Sequence, residues 1–229
     1  PAIYVDGAAA NVAATLLIET DLPLYTSAGS DRRVFDAPSL ARLANESYEV
    51  GPLAMTRRDV EDVTLWIGSS SMPDGALEGA ADVLADAFRR LRDHLGPSPT
   101  DSVLITLHPS AAPSSARDGS TVVWSMASDA DPEVELASGL RPLAHLWIPG
   151  TRSIAEAWLR EGVPEHYAAL VANAMFGGQA DAFARGVVRS WDRYAANAQD
   201  RTLRLGDDAW VVDAGALAGF CLDGTLRES

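Results

Sequence analysis

The sequence predicts an α+β domain, in which a block of strands with one long helix precedes a series of helices. Short apolar runs at residues 63–68, 102–107 and 120–125 are typical of buried strands. Between the first two runs, residues 74–95 place Leu, Ala and Phe at helical spacing, and a Gly-Pro pair ends that pattern. This strand–helix–strand–strand order, followed by helical patterns, defines the predicted fold class.

The other elements are predicted from shorter patterns. Residues 1–50 are expected to be rich in strands, with apolar runs at 13–18 and 33–35 and a short helix at 37–43 capped by Ser39. Residues 109–119, rich in Ser, Ala and Pro, are predicted to form a loop. The helices expected after this loop span residues 133–147, 153–176 (broken at 162–164), 180–196 and 212–227.

The chain has 229 residues and is acidic, and its composition argues against several functions. The net charge is −14 and all 18 basic residues are Arg, which argues against nucleic acid and anionic membranes as partners. No apolar run is long enough to cross a membrane, and the single Cys221 excludes an internal disulfide. The chain starts at Pro1, which is compatible with a removed signal peptide or upstream domain and leaves the compartment, periplasm or cytoplasm, open.

Residues 138–167 contain the residues that bear on metal chemistry. A zinc peptidase of the HExxH type needs imidazoles at i and i+4 on one helix face and a Glu base at i+1. In the register set by His145, the first imidazole position is Arg141 and the base position is Pro142. Arginine has no lone pair for a metal, and proline has no carboxylate. By spacing alone, His145 and the later Glu161 are more simply interpreted as a helical His and a surface Glu.

The surrounding residues resemble the glycyl aminopeptidase family of zinc metallopeptidases, which are thermolysin-like gluzincins. Residues 145–147 (His-Leu-Trp) resemble the end of the family's zinc helix, and residues 158–167 resemble the segment of its third zinc ligand, with Glu161 at the ligand position. Further resemblance covers the connector before the catalytic domain, the start of that domain and the helix after the catalytic tyrosine, at residues 37–51, 63–107 and 215–228.

The resemblance implies a domain organisation and a remnant of a metal site. Residues 1–50 are expected to be the last strands of an N-terminal β domain with its connector. Residues 51–229 are expected to form a thermolysin-like catalytic-type domain, with a small mixed sheet in a β/α lobe (51–130) and a helical lobe (131–229). His145 and Glu161 are the expected remnants of the metal site.

The departures from the family pattern remove four chemical functions. Arg141 and Pro142 replace a zinc ligand and the base, and Ala116 stands where the family has the Glu that binds the substrate amine. Val211 and Val212 replace the tyrosine pair that supplies the oxyanion donor, and loss of one such donor typically costs ~10²–10³ in rate. The resemblance therefore predicts a metallopeptidase-like pseudoenzyme with no catalytic residues and no bound zinc.

Alternatives to this prediction stay open at the level of the sequence. If the helix continues past Pro142, Arg141 can pair with Glu161 and supply the missing positive charge, although a solvated Arg141 fits equally well. An aminopeptidase-like hydrolase with a rebuilt zinc site would use His145, Glu161 and either Glu165 or His166. A third alternative is an unrelated α+β domain.

As a binding domain, the chain is expected to accept a peptide or a protein partner in the vestigial cleft. The expected peptide site is an edge strand around residues 121–125, to which an extended peptide would add as a further strand. Neither a nucleic-acid partner nor membrane insertion is predicted, and the oligomeric state stays open.

Overall fold

The computed structural model is mixed α+β, with a five-stranded mixed sheet, two small sheets and three long helices among the residues that it describes. Those residues are 12–27, 29–30, 34–37, 48–110, 114–127, 132–148 and 157–176. The helices are α1 (Asp74–Leu95), α2 (Pro132–Ala144) and α3 (Ala157–Met175). The strands are β1 (Ala14–Leu17), β2 (Leu24–Thr26), β3 (Gly29–Ser30), β4 (Val34–Ala37), β5 (Glu49–Val50), β6 (Ala54–Val60), β7 (Val63–Ser69), β8 (Ser102–Pro109), β9 (Ser114–Asp118) and β10 (Thr121–Met126).

The chain divides into two compact units. The first, called the sheet unit, comprises Pro1–Ala85, Thr100–Ser110 and Ala116–Ser125, and the second, called the helix unit, comprises Asp86–Pro99, Ala111–Ser115 and Met126–Ser229. The predicted organisation into a β remnant up to residue 50 and a catalytic-type domain after it stays a prediction.

The sheet unit is organised around a sheet with the strand order β6-β7-β8-β10-β9. Strands β6 and β7 pair antiparallel through a two-residue turn, in which Glu61 has a positive φ of 54°, as such tight hairpins require. Strands β7 and β8 pair in parallel, because α1 lies between them in the chain. Every residue of β8 from Val103 to Leu107 is fully or almost fully buried, as expected for an inner strand covered on both faces.

The N-terminal strands have a small core of their own within the sheet unit. Strand β1 pairs antiparallel with β4, and β2 pairs antiparallel with both β3 and β5. The rings of Phe35 and Tyr48 meet edge to face, with centroids 4.9 Å apart. Thr106 Oγ1 of β8 donates a hydrogen bond to Glu49 Oε1 of β5 at 3.4 Å, which connects these strands to the large sheet. The core comprises Leu24 and Phe35, flanked by Leu16, Ile18 and Tyr48.

The helix unit is held together by apolar contacts and by Trp147. The indole Nε1 of Trp147 donates to the carbonyl oxygens of Gly96 at 2.8 Å and Pro97 at 3.0 Å, just after the end of α1. The Trp147 ring also lies 5.2 Å from the ring of Phe88, measured between centroids. Helices α2 and α3 pack directly against each other. Their buried apolar residues include Leu136, Leu140, Leu143, Ala144, Ala168, Val171 and Ala172.

The main predicted elements are confirmed within the described residues, while one strand is not predicted and one predicted loop is wrong. The long helix and the strands predicted at 63–68, 102–107 and 120–125 are present. Strand β6 is not predicted from the sequence, because Arg57, Arg58 and Asp59 interrupt its apolar pattern. The loop predicted for 109–119 is wrong, since β9 occupies residues 114–118 and turns into β10 at Gly119, which has a φ of 56°. The helices predicted at 37–43, 180–196 and 212–227 lie outside the described residues.

Two prolines occur inside helices without ending them, which corrects two further predictions. Helix α2 contains Pro142 and α3 contains Pro164, and neither helix is broken there. The physical reasons are given with the site below. No helix in the described ranges combines the length and the apolar character needed to cross a membrane.

Burial in the sheet unit predicts which side chains stabilise the fold. Leu65 of β7 is 0% exposed, so Leu65→Ala should lower the free energy of unfolding by about 2–5 kcal/mol, through lost burial and a residual cavity. Chemical denaturation measures this change. Leu22→Ala is the matched control, because Leu22 is 51% exposed and its truncation should leave stability nearly unchanged. Equal losses for the two variants would contradict the assigned core.

Arg58 of β6 connects the sheet to α1 through two carboxylates. Its Nη2 lies 2.5 Å from Glu78 Oε2 and its Nε lies 2.7 Å from Asp82 Oδ1, one helical turn further on. The hydrogen bond from Arg58, with a further one from Thr56, holds the pKa of Glu78 below its usual value of 4.5.

The lowered pKa of Glu78 predicts a pH-dependent contribution to stability. That contribution is fully present above the ordinary pKa of 4.5 and is lost as the pH falls through the lower pKa of the folded state. Arg58→Met removes the cause, so its deficit in Tm relative to wild type should be largest at neutral pH and should shrink in acid. High salt should also reduce the deficit, because the partners are partly exposed. A deficit independent of pH and salt would show that Arg58 acts through packing alone.

Candidate functional site

The first predicted motif segment forms α2, which continues past Pro142 to Ala144. Proline lacks an N–H, so Pro142 cannot bond to the carbonyl of Ser138, four residues earlier. The interruption predicted at Pro142 is nevertheless absent, because the proline lies in the last turn and disturbs a single acceptor. The backbone N–H of His145 still donates to the carbonyl of Arg141 at 3.1 Å, so the helical geometry persists around the altered residues.

Ser115 compensates for the hydrogen bond that Pro142 cannot make. Its Oγ, on β9, donates to the carbonyl oxygen of Ser138 at 2.7 Å. An unsatisfied carbonyl at this partly buried place would be costly, and the serine hydroxyl provides the missing donor. Sequence reasoning could identify the carbonyl that Pro142 leaves open, but nothing local indicates that the donor comes from a strand 23 residues earlier.

The second motif segment forms α3, which runs unbroken from Ala157 to Met175. The break predicted at residues 162–164 is therefore wrong. Gly162 and Pro164 are both buried, which places them inside the helix unit, where tertiary packing overrides weak helix propensity. Because α3 is continuous, Glu161 and Glu165 lie one helical turn apart on the same face.

The two helices bring Arg141 and Glu165 together. The Nε of Arg141 lies 3.5 Å from Glu165 Oε2, and the two side chains are 34% and 35% exposed. Arg141 is thus a partly buried ion-pair residue on the side of α2 that meets α3. The predicted partner was Glu161, whose side chain lies outside the described part of the structure. The described partner is the glutamate one turn later.

The other predicted residues of the helical segments differ in burial. His145 is half-buried just after the end of α2, and His166 is 3% exposed on α3. The ring of Tyr167 lies between two imidazoles, 5.1 Å from the His166 ring and 5.8 Å from the His94 ring, measured between centroids. The contact between His94 and Tyr167 is not predicted from the sequence, because it joins residues far apart in the chain.

The remaining predicted positions lie on β9 or outside the described residues. Ala116 is in the middle of β9, so the position expected to bind a substrate amine is on the outermost strand of the large sheet. The predicted edge strand at 121–125 is wrong, because it corresponds to β10, which lies between β8 and β9. Val211 and Val212 fall outside the described residues.

The chemistry of the described donors does not fit a catalytic zinc ion. Such an ion takes three protein ligands drawn from His, Cys and carboxylates. Arg141 cannot be a ligand, and Glu165 is already paired with it. Across the described side chains, among which Glu161 is not included, no group of three or more His, Cys, Asp or Glu residues could hold a metal ion.

The fold is that of part of the M1 zinc metallopeptidases. An aminopeptidase N family protein from Idiomarina loihiensis superposes with a TM-score of 0.74 at 11% identity, over 96% of this chain and 47% of that chain. The M1 zinc metallopeptidase from Deinococcus radiodurans gives a TM-score of 0.52 at 23% identity, over 90% and 48% of the two chains. A variant of an M1 zinc metallopeptidase from the same organism, bound to a Tyr-Ser-Ala substrate, gives 0.51 at 20% identity, over 92% and 48%.

These likenesses establish the fold of the chain. The chain spans about half the length of the solved structures that it matches. No protein-family model and no curated protein matches the sequence. The narrower resemblance to the glycyl aminopeptidases, with its thermolysin-like details, stays a prediction.

The link between Ser115 and Pro142 predicts non-additive effects on stability. Ser115→Ala should cost about 1 kcal/mol, because the Ser138 carbonyl loses this donor. In a Pro142→Ala background the backbone N–H returns at position 142, so the same change should cost clearly less. Urea unfolding of the four proteins measures both costs, and Ser70→Ala on an exposed serine is the control. Equal costs in both backgrounds would contradict the compensation.

Proposed function

We propose that this chain is a metallopeptidase-like domain without hydrolytic chemistry, which binds an extended peptide or a segment of a partner protein. The proposal is supported chiefly by the presence of Arg141 and Pro142 on an intact helix, at the positions where the HExxH pattern has an imidazole and a base. A distorted helix could have moved other donors into place. Because the backbone is regular there, the two substitutions remove the donors outright.

The loss of the base and of a ligand acts on separate steps of hydrolysis. Without a carboxylate at position 142, nothing at that place removes the proton from an attacking water. Without an imidazole at position 141, His145 and Glu161 are too few to hold the ion that would polarise the carbonyl. The predicted loss of the oxyanion donor at Val211 and Val212 would act in addition to these changes.

A peptide-binding function is supported by the position of β9. Among the described strands, β9 is at the edge of the five-stranded sheet, where backbone N–H and C=O groups can pair with an added strand. Ala116 has no carboxylate to demand a free amino terminus, so an internal segment of a longer chain fits as well as a peptide end. The net charge of −14 favours neutral or basic segments over acidic ones.

Zinc binding and hydrolysis test the proposal directly. After treatment with a chelator and incubation with zinc, wild-type protein should retain only substoichiometric metal by elemental analysis and should not cleave a panel of di- and tripeptides. The variant with Arg141→His and Pro142→Glu, which restores the HExxH spacing before His145, should gain zinc, because the new imidazole and that of His145 then lie on one helix face. The control variant with Arg141→Lys and Pro142→Ala changes the same positions without adding ligands.

The same samples test peptide binding by hydrogen exchange. Extended peptides that bind should protect backbone amides of β9, while β6, at the opposite edge of the sheet, serves as an internal control. Stoichiometric zinc together with peptide cleavage by the wild-type protein would refute the proposed loss of chemistry and support the rebuilt site with His145, Glu161 and Glu165 or His166. Protection confined to β6, or absent with every peptide, would refute the docking site.

A further inference from the structure

We propose that the ion pair between Arg141 and Glu165 joins α2 to α3 in place of a shared metal ion. This inference rests on the proposed function, because it assumes that no zinc occupies the site. It goes further by assigning to Arg141 a role of its own: the substituted residue supplies a permanent positive charge between the two helices.

The geometry places the guanidinium where it can connect the helices. Arg141 and His145 are four residues apart at the end of α2, and Glu161 and Glu165 are four residues apart on α3, so each pair lies along one face. The Nε–Oε2 distance of 3.5 Å between Arg141 and Glu165 joins one member of each pair. A metal bound by residues of both helices would make the same connection through coordination bonds.

The charge balance of the site favours an arginine over a neutral residue. Glu165 is 35% exposed, and a carboxylate that is largely removed from water is costly without a partner of opposite charge. A guanidinium beside Glu165 offsets it with one positive charge. Unlike a metal ion, this charge cannot dissociate, be chelated or be lost by deprotonation. The junction between α2 and α3 is therefore independent of metal supply.

The local backbone supports this use of Arg141. A residue that precedes proline disfavours the helical conformation, yet Arg141 is helical and its carbonyl accepts from His145. Pro142 itself is buried, and the hydroxyl of Ser115 donates a hydrogen bond to the carbonyl of Ser138, one turn earlier. These contacts hold the last turn of α2 in place, which directs the Arg141 side chain towards α3.

A double-mutant cycle tests the junction. Arg141→Met and Glu165→Gln, each made alone, should raise the equilibrium constant for unfolding about two- to five-fold, as expected for a half-exposed pair. The double variant should be little worse than either single variant, because both remove the same interaction. All four proteins are unfolded in urea with a chelator present, at low and at high salt, and the coupling should weaken at high salt.

Matched controls separate the junction from ordinary surface ion pairs. The cycle of Arg89→Met and Asp86→Asn removes a pair within α1 that is 50% and 41% exposed, and it should show a smaller coupling because it joins no separate elements. If Arg141→Met does not fold, the cycle is repeated with Arg141→Lys, which keeps the charge but loses the planar fork and should retain only part of the coupling.

The outcomes distinguish this inference from the proposed function. Additive effects of Arg141→Met and Glu165→Gln, in a protein that binds no zinc, would overturn the junction and leave the proposed function standing. A wild-type Tm that falls with chelator and rises with zinc would overturn both, because a metal would then join the helices. Coupling that persists with chelator and weakens with salt is the result expected here.

Discussion

The packing of α2 against α3 is the constraint on which the altered site depends. Their buried Leu, Val and Ala side chains bring two helices together that follow each other in the chain but meet through tertiary contact. This contact brings Arg141 within 3.5 Å of Glu165. It also explains why two prolines are tolerated, since burial of an apolar surface offsets the hydrogen bonds that Pro142 and Pro164 do not make.

Under the proposed function, the site is an example of a fold that outlasts the chemistry associated with it. The helix pair is stabilised by interactions that many side chains could provide, namely burial of apolar surface and a hydrogen bond from a serine to an unpaired backbone carbonyl. Hydrolysis has narrower needs, because a ligand, a base and an oxyanion donor must each be a particular side chain at a particular place. A guanidinium at position 141 places a positive charge beside Glu165 and cannot coordinate a metal.

The sequence predicts the regular parts of the fold well and the context-dependent parts poorly. The long helix and β7, β8 and β10 follow from apolar periodicity, which is a local property. Strand β6 is concealed by three charged residues in its middle. Arg57 and Asp59 are exposed, as is common on an edge strand, whereas Arg58 pairs with carboxylates of α1. The small residues of β9 indicate a loop, and only pairing with β10 makes this segment a strand.

The candidate site divides in the same way between local and tertiary information. The expected ligand and base positions at Arg141 and Pro142 come from the family resemblance together with spacing, and the sequence leaves open whether Arg141 pairs with a carboxylate of the later helix. That Glu165 is the partner of Arg141 in the described structure depends on how α2 packs against α3. Residue spacing holds no information about that packing. The effect of Pro142 is overestimated from sequence, because the position of a proline within the helix and the help of Ser115 decide whether the helix bends.

Pro142 also bears on the history of the domain. Pro142→Glu alone would restore a backbone N–H that competes with Ser115 for the Ser138 carbonyl. It would also supply a general base without a metal ion beside it. A reversion of Arg141 alone would sacrifice the link to Glu165 before any coordination was complete. If the chain has lost hydrolytic chemistry as proposed, each first step back towards an enzyme would carry a loss without a gain, and epistasis between neighbouring residues would act as an evolutionary ratchet.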